Sequence, residues 1–455
     1  MSENTAMQTI ENPTELIQYL EDGNKPIESW KIGTEHEKFG YNKKNLKPLQ
    51  YSGACSIESI LVGLKETFGW LPIIESNYLI GLSKGGANIS LEPGGQLELS
   101  GAPLDNVHET CLEVANHLAE VKTIADRIEA GFIGLGAAPV WKHSDMPVMP
   151  KGRYKLMAPY MEKVGSHGTQ MMFRTCTVQV NLDYSSELDM VKKFRVALAL
   201  QPIATALFSA SPFFEGKETG YSSYRARIWQ DTDKDRTGML PFVFDDGFGF
   251  EAWVDYALDV PMYFVHRNGE YLNALGQSFR DFLNGKLPAL PNQKPLISDW
   301  EDHLTTIFPE VRLKKFLEMR GADAGPWAKI CALPAFWVGI IYDKVSLDQA
   351  WQLCKNWSSS DRNKLSKGVA KHGLRASIAN RKVIEIASDL LKISHEGLIR
   401  RNKSNAHKTK RNEGEFLKPL FDSLEKGSSL ADEINEKYQT SWSNDLNHIY
   451  SDYCY

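Results

Sequence analysis

The chain has 455 residues, 52 Lys and Arg against 57 Asp and Glu, and a formal net charge of −5, so it lacks the basic footprint of a protein that binds nucleic acid or anionic membranes. Its 42% hydrophobic and 24% charged residues suit a globular protein with a large core and exclude wholesale disorder. Six widely spaced cysteines, with no C-x-x-C pair among them, exclude a zinc ribbon or a thioredoxin-type motif.

In chain order, Met1-Ser-Glu-Asn-Thr-Ala6 has no basic segment followed by an apolar run, and the longest apolar stretch, Val196 to Phe208, is interrupted and too short to span a bilayer. The expectation is a cytoplasmic protein with reduced thiols and no membrane partner. Residues 13–22 have the apolar spacing of a short helix. Ile32 to Tyr41, bracketed by Gly33 and Gly40, reads as a strand that puts Glu35, Glu37 and Phe39 on one face. Two carboxylates at i and i+2 of a strand repel unless a proton or a cation sits between them. Residues 55–69 read as a helix.

Asn88 to Pro103 is a second acidic strand face: Ser90, Glu92, Gln96, Glu98 and Ser100 fall on even positions, Leu91, Leu97 and Leu99 on odd ones. Pro93-Gly94-Gly95 interrupts it and predicts a bulge or kink. Such a face is either solvated or an oxygen-ligand metal site. Residues 105–129 predict a capped helix, and Met149 to Lys155 a basic loop before a helix ending near Lys163. Residues 171–183 predict a strand with Thr175, Thr177, Gln179, Asn181 and Asp183 on one face, followed by a helix over 186–210.

Residues 222–238 read as a polar loop carrying Arg225, Arg227 and Arg236. Asp231, Asp233 and Asp235 imitate a calcium loop, but Arg236 and Phe242 stand where it requires Gly and Glu. Residues 261–273 predict a hairpin with an Asn-Gly turn, and a strand over 311–321 places Glu318 and Arg320 on one face. From about 346 onward the pattern is helical and charged. With no repeat or low-complexity linker, the expected organisation is a catalytic core over 1–345 and a helical C-terminal part over 346–455, packed on the same unit.

Pooled, these segments supply Glu35, Glu37, Glu92, Gln96, Glu98, Gln179 and Glu318, with Arg174, Arg225, Arg227, Arg236 and Arg320. Carboxylate and amide oxygens without thiolates suit Mg²⁺ or Mn²⁺, and arginines beside them suit phosphate and carboxylate groups. The combination points to phosphoryl transfer, with ATP held by metal and side chains because no G-x-x-x-x-G-K-[ST] loop exists. Two rivals come from other classes. Gly81-Leu-Ser-Lys-Gly85 fits the G-x-S-x-G elbow of serine hydrolases but runs into a strand rather than a helix. A non-catalytic binding protein has no use for so many aligned carboxylates.

Six blocks, Gly33-Thr-Glu-His-Glu-Lys-Phe-Gly40, Leu91 to Pro103, Pro150 to Lys155, Phe173 to Asn181, Trp229 to Gly238 and Leu317 to Asp323, resemble the plant and proteobacterial type of glutamate–cysteine ligase. The resemblance covers residues 28–345 closely and the helical tail more loosely. It implies a glutamine-synthetase-like fold of the α+β class, a curved and mostly antiparallel sheet with the active site on its concave face and helices outside. It also implies ATP-dependent joining of the glutamate γ-carboxylate to the cysteine amine through a γ-glutamyl phosphate. Another glutamine-synthetase-like glutamate–amine ligase is the alternative. The implied partners are L-glutamate, L-cysteine and ATP, in a monomer or homodimer.

By this resemblance Glu35, Glu37, Glu92, Glu98 and Glu318, with Gln96 or Gln179, hold the metals. Arg320 steadies the transferring phosphoryl group, and Arg225, Arg227 and Arg236 take carboxylate or phosphate. Arg174, Lys151 and Arg153 are further binding candidates, with plain solvation the alternative for the last two, and Trp229 is a pocket wall or a core residue. One cysteine pair of the plant enzymes is replaced by Ala274 and Ala289. Cys111 and Cys331 stand where the other lies, and the bland expectation is two buried, unlinked residues. The general base stays open.

Overall fold

The computed structural model describes residues 7–403 and 412–455; the N-terminal hexapeptide and residues 404–411 of the expected helical tail lie outside them. Nine strands build one sheet: β1 (Ile32–Asn42), β2 (Leu71–Glu75), β3 (Tyr78–Lys84), β4 (Ala87–Leu91), β5 (Leu97–Ser100), β6 (Ala130–Ile133), β7 (Thr177–Leu182), β8 (Val311–Leu313) and β9 (Leu317–Asp323). Their order is β8-β9-β7-β1-β5-β4-β3-β2, with β6 on the far end of β1, and every pairing is antiparallel. The G-x-S-x-G segment is part of β3 and turns directly into β4, so the nucleophile elbow has no helix to complete it.

The helices that matter here are α1 (Thr14–Glu21), α2 (Ile57–Phe68), α3 (Val107–Arg127), α4 (Gly152–Val164), α5 (Gly168–Arg174), α6 (Glu187–Leu207), α7 (Tyr224–Trp229), α8 (Trp327–Ile341) and α9 (Val383–Arg401). The start and end of α2 show why its sequence folds so. Ser56 caps it by accepting from the Ser59 N–H, Ile57, Ile60, Leu61 and Leu64 form the buried stripe, and Gly69 ends it at φ 73°.

Period-two alternation divides the sheet into a dry face and a polar one. Ile89, Leu91, Leu97 and Leu99 pack with the α2 stripe and with Val121 and Ile124 of α3. Val178, Val180 and Leu182 of β7 join a larger core with α6, α8 and α9. Each such Leu, Ile or Val contributes about 1.5–3 kcal/mol by leaving water. Their odd and even partners are thereby forced onto the opposite face, where the carboxylates stand. Among the described residues no single helix is long and apolar enough to cross a membrane.

Four expectations change. Residues 92–96 do not bulge within one strand but reverse the chain between β4 and β5. The Glu92 N–H donates to the Gln96 carbonyl, and Gly95 adopts φ 80°, a conformation open to glycine at little cost. The strand expected over 171–183 is helical to Arg174 and extended only from Thr177. The polar loop over 222–238 begins as α7, capped by Ser223, which accepts from the Ala226 N–H. Cys111 of α3 and Cys331 of α8 are joined in a disulfide, with Cα atoms 5.3 Å apart: the two helices pack side by side and both cysteines face the contact.

Candidate active site

Register places the acidic residues in one row across the polar face. Glu37 of β1 lies directly opposite Glu98 of β5, which itself lies opposite Ser90 of β4. On the other flank Glu35 faces Gln179 of β7, and Asn181 faces Glu318 of β9. Like charges directly opposite on an antiparallel pair destabilise it, so the Glu37–Glu98 pair is a built-in repulsion. Ser90 donates to Glu98 at 2.7 Å, the Thr177 N–H donates to Glu37 at 3.0 Å, and Asn181 donates to Glu35 at 2.7 Å. These neutral donors do not cancel the charge. Burial, then Glu98 and Glu92, holds the Glu37 carboxyl well above the usual carboxylate range. Burial together with neighbouring carboxylates also pushes Glu35 and Glu98 up to about 7.

Glu318 is the exception. Arg312 spans both its oxygens at 2.8 and 2.9 Å, Lys314 reaches it at 3.1 Å, and Arg320 pairs with it as well. Although burial works the other way, these three cations hold its carboxyl well below the usual range. Both Glu318 oxygens are engaged by these cations, and Glu318 anchors Arg320. Arg320 also donates to Gln179 at 2.8 Å, which fixes the guanidinium from two strands. Arg312 and Lys314 were missed in the sequence. Their signal was there, since Val311-Arg-Leu-Lys alternates opposite Leu317-Glu.

At the row opens a cavity lined by Glu37, Glu92, Gln96, Gln179, Arg153, Arg225, Arg320 and Trp229, with Tyr154, Thr177 and Phe308. Gln96 lines it but is already engaged: its carbonyl accepts from the Gly94 N–H and its amide donates to the Met172 and Thr175 carbonyls. It fastens the Pro-Gly-Gly turn to α5. Gly94 is obligatory, because a Cβ there would collide with the Phe173 carbonyl. Lys151 stands behind the rim, where it donates to the Leu91 carbonyl at 3.1 Å. Arg153 reaches the cavity with its buried Nε unpartnered.

The arginines separate. Arg225 and Trp229, four residues apart on α7, share the helix face over the cavity. Arg227, two residues on and about 200° round the helix, is half-buried elsewhere. Arg174 ends α5 rather than lying on a strand, and donates to the Trp141 carbonyl, Gln170 and Glu215. Arg236 is fully buried: it pairs with Asp233 at 2.6 Å, donates to the Thr306 and Pro261 carbonyls, and stacks on Tyr263 at 3.9 Å. Arg174, Arg227 and Arg236 are thus corrected to residues outside the cavity. Arg236→Met is expected to cost about 3–5 kcal/mol by stranding buried Asp233, with kcat of the folded fraction unchanged. Denaturant unfolding and active-site titration check this.

Among the described residues no group of three or more His, Cys, Asp or Glu side chains is arranged by itself to hold a metal ion. The donor chemistry nonetheless fits Mg²⁺ or Mn²⁺. The oxygens are buried, mutually repelling and free of thiolate, and Mg²⁺ takes one or two carboxylates while waters and substrate phosphates complete its shell.

Comparison with known proteins agrees with this architecture. The profile of the glutamate-cysteine ligase family 2 (GCS2) matches residues 31–452. The chain is 52% identical over 441 residues to glutamate–cysteine ligase B, chloroplastic, of Oryza sativa subsp. japonica, covering 97% of this chain and 87% of that one. It is 51% identical over 441 residues to the chloroplastic enzyme of Medicago truncatula, covering 97% and 85%. The crystal structure of the Francisella tularensis glutamate–cysteine ligase in complex with AMP superposes with a TM-score of 0.57 at 12% identity, covering 94% of this chain and 88% of that one. That likeness carries the fold: the large antiparallel sheet is glutamine-synthetase-like. The plant relatives are named chloroplastic, which overturns the expectation of a cytoplasmic protein. With the family profile and the relatives covering nearly its whole length, the chain belongs to glutamate-cysteine ligase family 2.

Proposed function

We propose that the protein joins the γ-carboxylate of L-glutamate to the amine of L-cysteine at the expense of ATP, giving γ-glutamylcysteine. The observation that carries this reading is that Glu37 and Glu92, at the end of a row of mutually repelling carboxylates, share one cavity with Arg225, Arg153 and an anchored Arg320. In the first step a γ-carboxylate oxygen of glutamate bonds to the terminal phosphorus of ATP and the bond to ADP breaks. In the second the cysteine nitrogen bonds to the acyl carbon, phosphate leaves, and the amine gives up its proton.

Glu35, Glu37, Glu92 and Glu98 would hold Mg²⁺ or Mn²⁺, which when bound neutralises the ATP phosphates and the approaching carboxylate. Arg320, held by Glu318 and Gln179, meets the charge that develops on the transferring phosphoryl oxygens. Arg153, with Lys151 behind it, faces phosphate. Arg225 takes a substrate carboxylate, and Trp229 and Phe308, 6.1 Å apart edge to face, wall the chamber against water. Gln96 keeps the turn that presents Glu92. Residues 346–455 act as a helical part packed on the catalytic unit of residues 1–345, since α6, α8 and α9 share one core.

Purified protein given ATP, Mg²⁺, glutamate and cysteine is expected to release ADP and form γ-glutamylcysteine, detected by mass. Turnover with glutamate and ammonia but not with cysteine would replace this reading with another glutamate–amine ligase.

A further inference from the structure

Strand β9 is irregular at the point where Arg320 leaves it. Met319 pairs with Val180 of β7 and Ala322 pairs with Val178, so Arg320 and Gly321 together stand opposite the single residue Gln179. A bulge of this kind takes backbone groups out of the ladder and re-aims a side chain. Here the side chain is that of Arg320, which enters the cavity and meets Gln179 and Glu318. A buried carbonyl outside the ladder is costly unless another donor finds it. The Arg320 carbonyl accepts from Arg225 at 2.9 Å and from the Thr177 hydroxyl at 3.1 Å. The Gly321 carbonyl accepts from the Thr205 hydroxyl at 2.8 Å.

Thr205 reaches the bulge from the core. It lies on α6, which packs with Met319 and Ala322 of β9, and it is not among the residues that line the cavity. Ile203, Ala204, Ala206 and Leu207 around it are fully buried, so the helix is a fixed platform. A threonine inside a helix usually turns its hydroxyl to the carbonyl four residues back. That carbonyl, of Gln201, lies at 3.1 Å, while the Gly321 carbonyl is nearer, and the hydroxyl has one proton to give. The strand also comes down tightly on this helix, since a Cβ on Gly321 would run into the side chains of Gln201 and Glu310. We propose that Thr205 is a positioning residue, whose hydroxyl ties the Gly321 carbonyl to α6 and so holds the bulge that aims Arg320 at the transferring phosphoryl group. This rests on the role proposed above for Arg320 and extends it to a side chain that no substrate touches.

Thr205→Val keeps the shape and removes the hydroxyl. Its kcat with ATP, Mg²⁺, glutamate and cysteine is expected to fall about tenfold, less than the roughly hundredfold that a full 1 Å misplacement can cost, with each KM within about threefold. Thr205→Ala removes the same hydroxyl without adding bulk and is expected to match it, so the outcome does not hang on one variant. Thr205→Ser, which restores the donor, is expected to return kcat to within about threefold of wild type. All rates are referred to the folded fraction, measured by denaturant unfolding. A double-mutant cycle separates positioning from plain stability: on an Arg320→Lys background, Thr205→Val should lower kcat by less than about twofold. A fall smaller than about threefold in both the Val and Ala variants, the same fall on both backgrounds, or no recovery with Ser would overturn the assignment. An Arg320→Lys enzyme as fast as wild type would instead overturn the role proposed for Arg320, and a wild type that makes no γ-glutamylcysteine would overturn the proposed function.

Discussion

Glu37→Gln is expected to lower kcat by about a thousandfold or more while leaving the metal-free protein as stable as wild type or more so. The loss of rate follows from removing one of the carboxylates proposed to hold Mg²⁺ beside the phosphates. The gain in stability follows from register: Glu37 faces Glu98 across the β1–β5 pair, with Glu92 close by, and an amide ends that repulsion at nearly the same volume. The sign of the pH dependence gives a second check. Burial and the neighbouring carboxylates hold the Glu37 carboxyl well above its ordinary 4.5, and push Glu98 up to about 7. Between the unfolded and folded values the native state holds protons that the unfolded chain has released, so stability falls as pH rises through that window. Without divalent cation the wild-type Tm should therefore decline from about pH 5 to about pH 8. Added Mg²⁺ should restore it, and the Gln variant should show a flatter profile. A Gln variant with near-normal turnover would remove Glu37 from the metal set.

Arg320→Lys is expected to reduce kcat by about a hundred- to a thousandfold, the usual cost of losing one preorganised donor to transition-state charge. The lysine keeps the positive charge but not the planar guanidinium, of which one amino group meets both Gln179 and Glu318 and the rest stays free for phosphoryl oxygens. Because Arg312 and Lys314 still neutralise Glu318, the fold should tolerate the change, with Tm only a few degrees lower. Single-turnover ADP release separates this from a binding defect: the burst rate should fall while the ATP KM moves by less than about threefold. A burst rate within tenfold of wild type would leave Arg320 a structural partner of Glu318 and nothing more.

Alternation made the acidic row readable in advance. Glu98 on β5 stands on the polar face because Leu97 and Leu99 are core residues, and Glu35 and Glu37 on β1 because the buried Thr34, His36 and Lys38 take the other face. The same rule failed at Arg174, where the helix α5 runs to within two residues of the strand, and helix and strand compete evenly over so short an apolar stretch. It failed again at Arg236, where spacing says nothing about a carboxylate three residues back that claims the guanidinium. Glu318 sat on the expected face, but its charge balance was decided by Arg312 on the adjacent strand and Lys314 just past its end. Gln96 likewise lay where expected, yet its amide is spent on a helix some eighty residues away in sequence. Face is a local property and legible; partnership is long-range and is set by packing.

The bond between Cys111 and Cys331 closes a covalent ring around 220 residues of sequence. Every arginine of the cavity belongs to that ring, while Glu35, Glu37, Glu92 and Glu98 precede it. A protease that cuts once inside the ring, for instance at the exposed Asn268-Gly269 turn, severs the backbone without releasing a fragment. The nicked chain keeps its full mass until a thiol reductant is added. Within the ring, Arg153 and Arg320 are thus joined twice, by the backbone and by sulfur, and both links must break before they can part.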